Sequence, residues 1–446
     1  MSRLDPALSL ALTRTRGHVL FAILVTTSAC AGGDDGDTGT TAATATATAT
    51  ASTTAPTTTA TTADTTTTGD PTETGTSAGT ATAGTTSTSG PTSGPTTDPT
   101  ATSDPTTGGT TGGGNDGTLC ASQSEGRFFP AGSWFYQDAS NMPVTTDSAA
   151  ITAWMESQSP PNGWGTGTMR IDFSIAMMDA PAGTAKRAYT PEPDYYYIPD
   201  CDLAPVPIPA GGYIEDYPQD PYDPNMPYAG YECSGYGDGA DCHLIVLSRS
   251  EQRLYEIYHS TIDTNDDFYG GCLALWDTSK AADADGRGQQ CTSADAAGFP
   301  IAPLLFTADE IAAGEIDHAI RFILPNSMIR AKKYVAPATH GTNTSGPATS
   351  IPYGGHMRLR ADYPIETLSP AAQVVAKALQ KYGMYMSDGG NIALTAAADA
   401  TGCHTWEEVG LGPQDLAALK ATDFEVIDHG PTMDVTYDCQ RQQILE

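Results

Sequence analysis

The sequence predicts a mainly β globular domain, a β-sandwich or jelly roll decorated with a few short helices, behind a long N-terminal tract that builds no core. Three observations predict it. Runs such as His243 to Ser248 and Arg253 to Thr261 are rich in β-branched and aromatic residues and are bounded by turn-forming clusters. Helix signals are few and short. Residues 31 to 118 are nearly all Thr, Ala, Gly, Ser, Pro and Asp, with no Lys, Arg or aromatic residue. Such a composition buries too little apolar surface to offset chain entropy, so a disordered, extended stalk is expected.

Taken in order, the globular part runs from 119 to 446, about 330 residues, which suits one large domain. Asp147 to Glu156 has helical character. Pro181 to Pro227 is rich in Pro, Tyr and Asp and reads as long ordered loops. His243–Ser248 and Arg253–Thr261 form a hairpin around Ser248-Arg249-Ser250-Glu251-Gln252. Thr307-Ala308-Asp309-Glu310 is a capping box, in which the Thr hydroxyl and the Glu carboxylate each take an orphan amide of the first helical turn. Ala319–Leu324 and His356–Ala361 alternate as half-buried strands do. Ser369-Pro370 opens a longer helix, with Pro at the first helical position, and Gly383 ends it. Val374, Val375, Ala378, Leu379 and Tyr382 give that helix its apolar face. Pro413 to Lys420 is a further helix candidate.

Ahead of the stalk, Arg3, Arg14 and Arg16 precede the apolar run Val19–Val25, the order of a secretory signal. The run is too short to span a bilayer as a helix, which needs about 20 residues. Thr27-Ser28-Ala29-Cys30 resembles the lipobox of bacterial lipoproteins, although Thr27 stands where the usual Leu would. The resemblance implies lipidation of Cys30 and anchoring at an outer membrane or cell surface. Residues 1–30 are thus expected to be a lipoprotein-type signal.

The chain has 53 acidic and 21 basic residues. Setting aside three Arg and one Asp before Cys30, and nine acids in the tract, leaves 43 acidic and 18 basic residues, a net charge of −25. Such a surface repels nucleic acid. Eight cysteines follow Cys30, an even number suited to disulfides in an exported chain. Eight cysteines allow 105 pairings, among which sequence does not choose. A Cys120–Cys439 pair would close the domain ends.

Several separated blocks carry a second resemblance. They are Arg253-Leu-Tyr-Glu-Ile-Tyr, Cys291-Thr-Ser-Ala-Asp-Ala-Ala-Gly-Phe-Pro-Ile, Glu315-Ile-Asp-His-Ala-Ile-Arg-Phe, Lys381-Tyr-Gly-Met-Tyr-Met-Ser-Asp-Gly-Gly-Asn and Phe424-Glu-Val-Ile-Asp. In this order they resemble a family of secreted actinobacterial and myxobacterial proteins to which we attach no activity. The likeness covers roughly residues 128 to 428. Where that family has a basic residue before a His, this chain reads Ala336-Pro-Ala-Thr-His340.

Three chemistries compete. Glu256 and Asp295 are candidate catalytic carboxylates, since a pair flanking a glycosidic bond is the minimum for hydrolysis. Their bland alternative is an outward strand residue and a turn cap. His318, Arg321, His340, Arg358, Arg360 and Tyr382 form a lyase-like set, in which forked guanidinium groups hold a uronate carboxylate and a His or Tyr moves a proton. The alternative is pairing with surplus carboxylates such as Asp362. Asp263, Asn265 and Asp267 are hard oxygen donors suited to a structural Ca²⁺, as against a solvated turn. Asp283-Ala-Asp-Gly286 lacks the distal Glu of a full calcium loop. Asp388 and Asn391 offer polar groups on a glycine-rich turn. There is no G-x-S-x-G elbow, P-loop or G-x-G-x-x-G fingerprint. The expectation is therefore an exported surface lipoprotein acting on a polysaccharide, as a glycoside hydrolase or polysaccharide lyase. Its aromatic-rich segments Trp134–Tyr136 and Tyr195–Tyr197 would serve sugar contact. The alternative is a non-catalytic glycan-binding or adhesion module.

Overall fold

The computed structural model describes residues 128–215 and 225–445. Cys30, Cys120 and the 31–118 tract lie outside them. The fold is strand-rich with few short helices. A six-stranded sheet has the order β1 (Ile171–Ile175), β14 (Leu394–Ala397), β9 (Ile320–Leu324), β13 (Met384–Gly389), β12 (His356–Leu359) and β15 (Phe424–Val426). A five-stranded sheet has the order β2 (Met177–Asp179), β6 (Leu244–Ser248), β7 (Arg253–Ile262), β8 (Phe268–Asp277) and β4 (Thr190–Pro191). Two small sheets join β11 (Ile351–Tyr353), β10 (Ile329–Tyr334) and β16 (Met433–Asp434), and β3 (Lys186–Arg187) with β5 (Val206–Pro207). Both large sheets are mixed. β1 runs parallel to β14 and β9 to β13, while β6, β7 and β8 form an antiparallel meander.

The expected hairpin is present, and its strands are buried on both faces. Ile245, Leu247, Leu254, Ala274 and Trp276 point into the main core, shared with Phe322, Met386 and Leu394 of the six-stranded sheet. Their neighbours Leu244, Val246, Tyr255, Ile257, Leu273 and Leu275 enter a second core. That core is closed by Val206, Ile208 and Ile214 from the Pro-rich region and by Tyr231 just after it. The period of two is intact, but neither face is wet. β9 and β12 likewise have no solvent face, so the polar members of their alternating patterns are buried.

Helix α1 (Ser148–Gln158) packs on β15, and α2 (Ala308–Ala313) carries the expected capping box. The longest helix, α3 (Pro370–Lys381), begins where Ser369 Oγ accepts the Ala372 amide, a cap worth about 1 kcal/mol. Its buried Val375 and Leu379 each contribute roughly 1.5–3 kcal/mol. Helix α4 is Trp406–Val409. Pro413–Lys420 does not form the expected helix. It turns through bonds spanning three residues, Ala417 to Gln414 and Leu419 to Leu416, and buries Leu416 and Leu419. Among the described residues no helix is long and apolar enough to cross a membrane.

Disulfides join Cys201–Cys272, Cys233–Cys242 and Cys291–Cys439, and Cys403 is disulfide-bonded too. The expected Cys120–Cys439 pair is therefore excluded. A buried carboxylate reinforces the C-terminal attachment. Asp202 accepts from Arg287 Nη2 (2.7 Å), Arg441 Nη2 (2.7 Å), the Leu275 amide (2.9 Å) and the Ile444 amide (3.0 Å).

Candidate active site

Ionisable side chains from six separate segments meet where the head of β6 reaches β1, β9, β13 and β14. At the centre is Arg321 on β9, buried to 3 % exposure. Its fork is fully engaged: Nε donates to Ser387 Oγ (3.1 Å), Nη1 to Thr395 Oγ1 (3.2 Å) and Nη2 to Asp295 Oδ1 (2.7 Å). Asp388 Oδ2 lies 3.7 Å from the same Nη2. Beside them His243 Nδ1 meets Glu215 Oε2 at 2.6 Å, and the His243 amide donates to the same oxygen. Ser174 Oγ lies 3.2 Å from Glu215 Oε1 and 3.0 Å from Asp172 Oδ2, and carries the network to the surface.

Two one-residue bulges shape this meeting point. In β13 the register slips between Met386 and Asp388 against β9. In β1 it slips between Asp172 and Ile175 against β14. A bulge inserts an unpaired residue and re-aims its neighbours. Here the affected segments carry Ser387, Asp388, Asp172 and Ser174. Asp295 comes from the Cys291–Phe299 loop, which is fixed by its own bonds. Ser293 Oγ donates to the Phe299 carbonyl (2.6 Å), and the Ala297 amide donates to the Ser387 carbonyl (2.9 Å). The loop turns at Gly298 (φ +79°), where a Cβ would meet Thr339 Oγ1 at 2.2 Å, so only glycine fits.

The electrostatics divide the carboxyls into two kinds. Burial pushes Glu215 up, but His243 outweighs it and holds the carboxyl near 2. Burial opposes charge on His243, but Glu215 and Asp241 raise the imidazole to about 10. This pair is thus ionised across the ordinary range. Asp388 is lifted by burial, then by the Asp295 charge, to about 8. Arg321 opposes that shift from the greater distance. Asp172 is raised by burial and by Glu215. Asp388 is accessible, at 27 % side-chain exposure, whereas Asp295 is sealed at 0 %. The arrangement therefore presents a carboxyl that keeps its proton, Asp388, and a second carboxyl raised above its usual range, Asp172, at the surface of a buried ionic layer.

Of the residues singled out in the sequence, Asp295, Arg321 and Asp388 are brought together. Three separate segments of the sequence supply them. The others are placed elsewhere. Glu256 is not an outward strand residue. It is fully buried and accepts from Trp276 Nε1, Ile301 N and Ala302 N, each at 2.8 Å, docking the 301–304 turn on the sheet. His318 is enclosed between Glu310 Oε1 (3.1 Å) and the Ala319 carbonyl (2.7 Å). Arg358 is held by Glu425 and the Ala139 and Met142 carbonyls, and Arg360 by Asp362. Tyr382 is buried, and its carbonyl accepts from His356 Nε2. Asn391 is exposed, with its backbone packed on Gly165. His340 donates from Nδ1 to the Ala296 carbonyl (2.9 Å), behind the Asp295 loop.

The oxygens of Asp263 are taken by the Asn265 and Asp267 amides and the Asn265 side chain, which closes the β7–β8 turn. Among the described residues no group of three or more His, Cys, Asp or Glu is arranged to hold a metal ion. Phe135 and Tyr136 are buried, and Trp134 packs on Phe299 and Tyr385, so that segment is core and not display. Sequence reasoning missed Asp172, Ser174, Glu215, His243 and Thr395. Each is an isolated polar residue with no spacing signal; Glu215 lies inside the Pro181–Pro227 stretch read as loop, and His243 opens a run read only as a strand.

No family model, curated protein or solved structure matches the chain.

Proposed function

We propose that the chain is an exported, lipid-anchored surface protein whose domain hydrolyses an extracellular glycan at the Asp172–Asp388 site. The observation that carries the reading is an accessible carboxyl, Asp388, with Oδ2 3.7 Å from Arg321 Nη2 beside two buried ion pairs, in surroundings that push it up to about 8. A carboxyl of raised pKa that solvent can reach is what general acid catalysis needs. In this reading Asp388 protonates the leaving glycosidic oxygen. Water adds to the anomeric carbon as that bond breaks, and Asp172 accepts the proton the water loses. Disulfides and the N-terminal signal support export.

A neutral glycan is the substrate class we favour. Arg321 and His243, the cations of the ionic layer, are each paired to a buried carboxylate, and Arg358 is paired to Glu425. With these three cations engaged, we favour hydrolysis of an uncharged glycan over lyase chemistry on a uronate. The test is to incubate the purified full chain, and its Asp388→Asn and Asp172→Asn variants, with neutral glucans, mannans, xylans, chitin and uronate polymers. New reducing ends from a neutral polymer, lost in both variants, are expected. Unsaturated-uronate absorbance would replace hydrolase with lyase. Retention on one polymer without turnover would replace it with a glycan-binding module.

A further inference from the structure

We infer that His243 and His340 are positioning residues that grip the peptide on either side of Asp295. The inference rests on the reading of the Asp295–Arg321–Asp388 cluster as the working site. His243 Nε2 bonds the Ala294 carbonyl at 3.1 Å, and His340 Nδ1 bonds the Ala296 carbonyl at 2.9 Å. Both rings are buried, at 3 % and 7 % exposure. They come from opposite directions, His243 from the residue preceding β6 and His340 from the segment after β10. The His340 amide also donates to the Ala297 carbonyl (3.2 Å), as does the Thr339 amide (3.0 Å). Three carbonyls around Asp295, those of Ala294, Ala296 and Ala297, are therefore held by groups foreign to the loop.

The two clamps differ in charge. His243 faces Glu215, Asp241 and Arg321, with the Tyr258 ring alongside. As an imidazolium it donates from both nitrogens, to Glu215 and to Ala294. His340 faces Asp200 and the Tyr437 ring, and burial keeps it neutral with its proton on Nδ1. A carboxylate on a loop that drifts by about 1 Å loses its aligned contact, and such displacements diminish turnover by roughly 100-fold. Holding the carbonyls fixes where Asp295 Oδ1 meets Arg321, and so how far Arg321 Nη2 stands from Asp388.

The amide replacements retain one donor each. Glutamine at 243 places an amide nitrogen near Nε2, and asparagine at 340 places one near Nδ1. Backbone hydrogen exchange is measured on the full chain for His243→Ala, His243→Gln, His340→Ala and His340→Asn. The Ala variants are expected to speed exchange at Ala297 and Gly298 at least tenfold, with α3 unchanged, and the amide variants to restore slow exchange. On a cleaved glycan, kcat falls in the Ala variants while KM holds. Unchanged exchange in both Ala variants would overturn the inference. So would failure of both amide variants to restore protection while the fold persists. Exchange needs no substrate, so a protected loop that loosens as stated beside an inactive wild type would sink the hydrolase reading alone.

Discussion

Replacing Glu256 by Gln separates a structural carboxylate from a catalytic one. The wild-type group accepts three hydrogen bonds, two on Oε1 from Ile301 and Ala302 and one on Oε2 from Trp276. Glutamine preserves the oxygen facing the two amides but turns an NH₂ toward the indole N–H. A buried donor without an acceptor costs about 1–3 kcal/mol, so a loss of about 2 kcal/mol is expected at pH 5. The pH dependence follows from burial, which raises Glu256 from 4.5 to about 7 against the opposing bonds of Ala302, Trp276 and Ile301. Between those values the folded chain retains a proton that the unfolded chain has released. Wild-type stability therefore falls as pH rises through this window, by up to about 1.4 kcal/mol per unit. Glutamine lacks the slope, so the gap between the proteins closes toward pH 8. Urea denaturation at pH 5, 6.5 and 8, with equal m-values, measures it. The same variant should retain glycan turnover. A variant of unchanged stability that has lost turnover would refute the structural account and restore Glu256 as a catalytic acid.

Arg321→Met should destabilise by about 3–5 kcal/mol, because it leaves Asp295 buried without its partner. Arg321→Lys should recover little of this in a melting experiment, since one ammonium does not span Ser387, Thr395 and Asp295. Turnover should decline as pH rises through about 8, where Asp388 gives up the proton it donates, and a flat alkaline profile would remove it as the acid. Asp202→Asn should cost about 3–5 kcal/mol and expose the segment after Cys439 to carboxypeptidase, since Arg287 and Arg441 both rest on that carboxylate. Treatment with a calcium chelator should leave the melting temperature unchanged, as Asp263 Oδ1 already accepts two backbone amides and Oδ2 the Asn265 side chain.

Local order was legible in the residues. The hairpin around Arg249–Gln252, the Thr307 capping box and the α3 helix are set by neighbours within a few positions, where propensity and capping act. Sheet order was not legible, because the parallel pairing of β1 with β14 depends on segments more than two hundred residues apart. The same gap explains the misread residues. Glu256 reads from sequence as a catalytic acid or an outward strand residue, but it shares the main-core face of β7 with Leu254, where Trp276 meets it. Arg358 and His318 stood out as functional in an acidic chain, yet each answers a buried partner. Asp295, Arg321 and Asp388 were visible as unusual polar residues in otherwise apolar blocks. Their companions Asp172, Glu215 and His243 gain meaning only when the fold juxtaposes them.

The register Ile171↔Leu394 also governs how the domain forms in time. Long-range pairings must meet their loop-closure entropy before any contact rewards it, so such topologies fold in milliseconds to seconds or slower. Until β14 arrives, Ile171-Asp-Phe-Ser-Ile has no partner strand, and the two halves of the ionic cluster remain strangers. An interrupted or truncated chain would thus retain the β6–β8 meander and lose the site entirely. The meander is local and able to nucleate early, whereas the chemistry is the last property the molecule acquires.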